Sequence, residues 1–159
     1  MLTRHNDQVL DFDFERVKEQ SKDNPVFYVQ YANARVNSIL KNAHEQNPDY
    51  TKRIQDSSYD LKLLDNAEDI KLIKLMASWP RIVELSCIHQ EPHRIAFYLI
   101  ELASEFHSLW SKGNENASLR FILKDDFEKT LARLVLAKAV SAVISSGLKV
   151  FNVVPIEKM

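Results

Sequence analysis

Two glycines in 159 residues, Gly113 and Gly147, limit what this chain can fold into more than any other feature. Strand-rich folds need turn residues every few positions, and the chain lacks them. Each glycine follows a long helix-like run, where a residue free to take positive φ is expected to end the helix. The reading is therefore all-α: an antiparallel helical bundle closed by an apolar C-terminal tail. At 45% hydrophobic and 27% charged residues the composition is globular. The length suits one domain of ordinary size.

Residues 1–23 stand apart. The start is polar without helical periodicity, Leu10-Asp11-Phe12-Asp13-Phe14 alternates apolar and acidic residues as a short extended segment would, and Glu15 to Gln20 reads as a brief charged helix. Nothing here forms a core alone, so 1–23 is read as a connector and 24–159 as the bundle. Asn24-Pro25 is a strong helix start, an N-cap side chain before proline at the first helical position. The helix it opens runs to about Glu45, with Phe27, Tyr31, Ala34 and Ile39 among its apolar positions; 48–58 reads as a loop. A second block spans about Asn66 to Gln90 with Ile70, Ile73, Leu75, Met76, Val83 and Leu85 as core candidates, broken near Ser78-Trp79 by Pro80. A third starts at Glu91-Pro92 and runs to about Lys112, carrying an apolar stripe at Ile95, Leu99, Leu102, Phe106 and Leu109. Gly113 to Ala117 reads as a polar loop. The last helix runs from about Asp125 to Ser146, and Leu148 to Pro155 forms the tail.

Several chemistries are excluded. His89 and His93 stand four apart, but Pro92 lies between them and no third ligand has zinc spacing, so they read as solvated helix-end histidines and no metal is expected. Cys87 near His89 is read as a small buried core residue, not a nucleophile; alone, it forms no internal disulfide. Ser145-Ser146-Gly147 follows no strand and is not a nucleophile elbow. No phosphate loop, dinucleotide fingerprint or paired-carboxylate motif occurs, and no catalytic residue is assigned. The absence of a signal-like or membrane-length apolar stretch points to the cytoplasm and away from membranes. With a formal net charge of −1, any nucleic-acid binding must rest on local cations and stacking.

The aromatics have two readings. Tyr28 and Ala32 share a helix face, as do Phe106 and Trp110. Such residues serve as core or as a shelf for unstacked bases, and composition does not choose. A stacked base typically contributes about 1–3 kcal/mol without net positive charge.

Three segments carry a family resemblance. Asn24-Pro25-Val26-Phe27-Tyr28-Val29-Gln30-Tyr31-Ala32-Asn33-Ala34-Arg35 resembles the helix opening the anticodon-binding domain of arginine–tRNA ligases, whose form is approximately N-P-x-(Y/F)-Y-x-Q-Y-A-H-A-R, with Asn33 in place of histidine. Glu91 to Leu99, continuing through Phe106-His107-Ser108-Leu109-Trp110, is the second. Ala132-Arg133-Leu134 onward to Pro155-Ile156-Glu157-Lys158-Met159 is similar to the family's chain terminus. The match covers nearly the whole chain in order. Thr130-Leu131-Ala132-Arg133 occupies the place of the D-A-L-R tetrad and keeps only its arginine.

The resemblance implies an anticodon-binding module for arginine tRNA, with the tRNA contacts at Tyr28, Ala32, Phe106, Trp110 and Met159. Arg35 is read as either a structural ion-pair partner or a phosphate contact. Residues 1–23 resemble the end of a catalytic domain, and the partners expected are the tRNA(Arg) anticodon stem-loop and that domain. ATP and Mg belong to the parent ligase, whose ATP-binding signatures are absent here, so this chain alone should be inactive. Two competitors are a related domain of another synthetase, such as a glycine ligase β-subunit, and a helical protein–protein interaction module with a dry apolar patch.

Overall fold

The computed structural model describes residues 24–159; the readings made above for 1–23 lie outside them. Asn24 caps the first helix, α1 (Pro25–Gln46), its side-chain oxygen accepting from the amides of Val26 and Phe27. Then come α2 (Asp49–Gln55), a 3-10 turn (Leu61–Leu63), α3 (Ala67–Ala77), α4 (Trp79–Ile88), α5 (His93–Glu115), a second 3-10 turn (Ala117–Leu119) and α6 (Phe127–Val150). Among the described residues there is no strand. The break at Pro80 falls as expected: α3 stops at Ala77 and α4 starts with proline in its first turn, where the lost amide was unpaired anyway.

Three long helices make the centre. Arg35 meets His107 and Trp110, and farther along both helices Asn42 shares a cleft with Asn114, so α1 and α5 run parallel. On α6, Ser141 meets Asn33, and Leu134 and Lys138 lie beside Leu40 and Ala43, so α6 runs antiparallel to α1. Val36, Leu99, Leu102, Phe106, Leu131, Val140 and Ile144 are fully buried between them.

Several expectations need correction. Residues 49–55 are helical: Tyr50 is buried and stacks on Phe127 with ring centres 4.5 Å apart, and the Arg53 guanidinium forks onto the Glu128 carboxylate at 2.5 and 3.0 Å. Neither glycine ends a helix. α5 continues through Gly113 to Glu115 and α6 through Gly147 to Val150, and neither glycine has positive φ. Gly147 instead permits close packing, since a Cβ there would stand 2.6 Å from Leu99 Cδ2. α6 is long and apolar enough to cross a membrane, contrary to the reading that no such stretch exists, but more than half of its most apolar stretch is buried inside the bundle. Ile70 is exposed and Ile73, Leu75, Met76, Val83 and Leu85 are half-buried; the fully covered side chains of α3 and α4 are Leu72, Asp69 and Ser86.

Arg133, the one tetrad residue retained, is a buried staple. Its Nη1 donates to the carbonyls of Ser118 (2.6 Å) and Arg120 (2.8 Å), and its Nε lies 3.5 Å from Asp69 Oδ2. Asn66 and Asp69 also exchange hydrogen bonds, Asn66 Nδ2 donating at 2.6 Å and the Asp69 amide donating back at 2.8 Å. Burial nevertheless pushes the Asp69 carboxyl up, outweighing the opposing pull of Arg133 and Asn66. Thr130 holds the same loop, accepting from the Leu123 amide at 2.9 Å. The stretch from Ser118 to Leu123 is thus fixed to α6 from beneath.

Candidate nucleic-acid interface

The parallel pairing of α1 and α5 brings residues 28, 31 and 35 of one helix beside 107 and 110 of the other. Successive helical residues turn by about 100°, so Tyr28, Tyr31 and Arg35 share one face of α1. Arg35 is the hub. Its guanidinium carbon lies 4.4 Å from the Tyr31 ring centre and 5.0 Å from that of Trp110, within cation–π range of both. Nη2 donates to the Tyr31 hydroxyl at 2.6 Å and Nη1 meets His107 Nδ1 at 2.9 Å.

His107 completes the arrangement from beneath. Its ring lies 4.7 Å from Tyr28 and 5.5 Å from Tyr31, centre to centre. A guanidinium only donates, so Nδ1 accepts; Nε2 then carries the proton and faces the Tyr28 carbonyl at 3.4 Å. That assignment is the neutral imidazole. Burial, and then the neighbouring Arg35 charge, hold His107 down to about 4 from the usual 6.5. Phe27, stacked on Tyr31 at 6.3 Å, extends the surface into a shallow open depression lined by Phe27, Tyr28, Tyr31, Arg35 and His107. Tyr31 is 39% exposed.

Of the five contacts the resemblance implies, this shelf contains Tyr28 and Trp110, both half-buried. Ala32 and Phe106 lie outside it: neither has accessible surface, because Ala32 turns toward the core and the Phe106 ring packs against Phe121 at 5.5 Å.

Met159 is half-exposed and belongs to a tail held on a different flank of α1. Gln30 Nε2 donates to the Val154 carbonyl and Gln30 Oε1 accepts from the Ile156 amide, both at 2.8 Å. Asn33 Nδ2 donates to the Ile156 carbonyl at 2.9 Å and its Oδ1 accepts from Ser141 at 2.7 Å. Gln30 and Asn33 each lie two positions from a shelf residue, about 200° around the helix. The tail anchors and the shelf therefore occupy nearly opposite sides of α1.

Tyr31 and His107 belong to the shelf but are not among the contacts that the resemblance implies. The signal was present as Tyr31–Arg35 at i,i+4 and His107–Trp110 at i,i+3. Arg35 forms no ion pair among the described residues; it is stacked instead. The excluded chemistry can also be placed. No group of three or more His, Cys, Asp or Glu side chains among the described residues could hold a metal. Two details differ from expectation. Cys87 is exposed because its neighbour Ser86 turns inward and donates to the Glu91 carbonyl, and His93 is buried while His89 is exposed.

Residues 29–159 match the model of the DALR anticodon binding domain family. Arginine–tRNA ligases of Rickettsia felis and Ehrlichia chaffeensis are 54% and 55% identical over all 159 residues, which cover 28% and 26% of those proteins. The chain therefore spans only about a quarter of the length of these relatives. A solved structure described as a putative arginyl-tRNA synthetase from Campylobacter jejuni superposes with a TM-score of 0.78 over 99% of this chain and 32% of the other, at 21% identity. That likeness bears on the fold.

Proposed function

Because this chain belongs to the DALR anticodon-binding domain family, we propose that it binds the anticodon stem-loop of arginine tRNA, with unpaired loop bases stacking on Tyr28, Tyr31 and Trp110. One observation carries the reading. A half-open aromatic shelf surrounds a guanidinium that has no carboxylate partner among the described residues. Exposed rings offer every base a π-face, and an unneutralised arginine draws the RNA backbone. An apolar protein-docking face would not need the cation.

In this reading residues 1–23 connect the module to a catalytic domain that this chain does not contain. ATP, Mg and the charging chemistry belong to that domain, and the setting is the cytoplasm. The module contributes binding energy and discrimination, not chemistry.

The test is a titration of the chain with arginine tRNA at low and high salt, beside a tRNA altered at the middle anticodon base and a Trp110→Ala protein. Binding should weaken with salt, with the base change and with loss of the indole, by about 5- to 100-fold for one stacked base. Equal affinity for every tRNA, or binding indifferent to salt, would leave a protein partner as the better reading.

A further inference from the structure

Trp110 has a second side. Beyond the indole, away from Tyr31, a cavity of about 170 Å³ opens between α1, α5 and the loop that Arg133 staples. Its walls include Ile39, Trp110, Leu119 and Phe121, and its rim carries Asn42, Asn114 and Arg120. An engineered protein cavity of about 150 Å³ accommodates one benzene ring, so this slot matches one flat aromatic group. The rim is uncommitted: neither asparagine side chain makes a hydrogen bond to the described residues. Arg120 uses only Nε, on the Gly113 carbonyl at 3.1 Å, and leaves its terminal nitrogens open.

The slot continues the shelf. Asn42 shares the α1 face of Tyr28, Tyr31 and Arg35, and Asn114 follows His107 and Trp110 on α5. At about 1.5 Å per residue, Asn42 stands about 16 Å along α1 from Tyr31. Stacked bases rise only about 3.4 Å each, so neighbouring bases can occupy the two compartments only if they are splayed, as bases of single-stranded RNA loops are when proteins read them. The two compartments differ in chemistry. The shelf offers rings and no free amide, whereas the slot offers two primary amides, each able to donate and accept, beside an aromatic wall. No carboxylate lines either.

We propose that this slot is a separate nucleobase subsite, in which one unstacked loop base lies against Trp110 and has its hydrogen-bonding edge read by Asn42 and Asn114. The assignment rests on the RNA-binding reading of the shelf. In it the Arg35–Trp110 stack is the partition between a compartment that binds bases by their faces and one that distinguishes them by their edges. Arg120 lies where the strand's phosphate leaves the slot.

The experiment uses the 159-residue chain and an RNA hairpin bearing the arginine-tRNA anticodon loop, with a series of hairpins each lacking one loop base. N42A/N114A should bind the intact hairpin about 5- to 100-fold more weakly, the range for a bidentate base contact. Removing one particular loop base should cost the unsubstituted chain a similar factor and cost the double variant nothing further. Unaltered binding by N42A/N114A alongside a clear loss in Tyr28→Ala would overturn the slot and leave the shelf standing. Losses that add on every abasic hairpin would also overturn it, because no base would then be coupled to the asparagines. If the unsubstituted chain fails to bind the hairpin, the shelf reading and the slot fall together.

Discussion

His107 shows how one buried side chain fixes the ionic state of a surface. It accepts from Arg35, so a proton on Nδ1 would face a guanidinium and break the hub. Its folded-state pKa, about 4, lies below the ordinary 6.5, so the unfolded chain takes up the proton first. The stability it contributes is complete above about pH 6.5 and is lost as pH falls toward 4. Thermal melts between pH 4 and 7 should show this decline, and His107→Gln should flatten it over that window. Arg35 contributes to the depression but burial dominates. Arg35→Gln should therefore raise the His107 value, followed by the imidazole proton resonances, without restoring 6.5. A full return would mean that charge, not burial, sets it. None of this was legible beforehand. The sequence offers a histidine three residues before a tryptophan, but the partner that settles its tautomer lies 72 positions away on another helix.

At the scale of helices, local rules served well where the cause was local. Asn24-Pro25 and the Pro80 break are decided within a few residues, and both helix starts fall where capping and the missing amide place them. The glycines misled because their role comes from a neighbouring helix. Gly147→Ala would ordinarily favour a helix by up to about 1 kcal/mol. Here the added methyl meets the fully buried Leu99 side chain, which must shift within a packed core, so a net destabilisation of about 1–3 kcal/mol is expected by chemical denaturation. Arg133 poses a similar balance. Arg133→Met strands Asp69 without its cation and frees the Ser118 and Arg120 carbonyls, for a loss of about 3–5 kcal/mol. Adding Asp69→Leu should recover part of that loss, since desolvation already works against the carboxylate. A double variant less stable than the single would show that the pair contributes more than it costs to bury. Thr130 and Arg133 also show why the divergent tetrad is tolerated: the hydroxyl and the guanidinium still hold the 118–123 loop.

The whole molecule is less symmetric than its sequence suggests. A bundle with short connections would pair neighbours in sequence, yet the stack-bearing helices α1 and α5 are parallel and in direct contact, with α2 to α4 making the connection from one to the other. The site inherits that topology, which is why Tyr28 and Trp110 come together while the tail, tied by Gln30 and Asn33, lies on another flank. Gln30→Ala should abolish hydrogen-exchange protection of the Ile156 amide and leave the α6 amides protected; loss at both would make the tail part of the global unit. The Gln30–Val154 contact also carries a kinetic consequence. It joins residues 124 positions apart, whereas most helical bundles fold fast through contacts near in sequence. Closing so long a loop is worthwhile only after the helices between its ends have docked. The strap is therefore expected to zip up last during folding and to peel away first, a slow step attached to an otherwise rapid collapse.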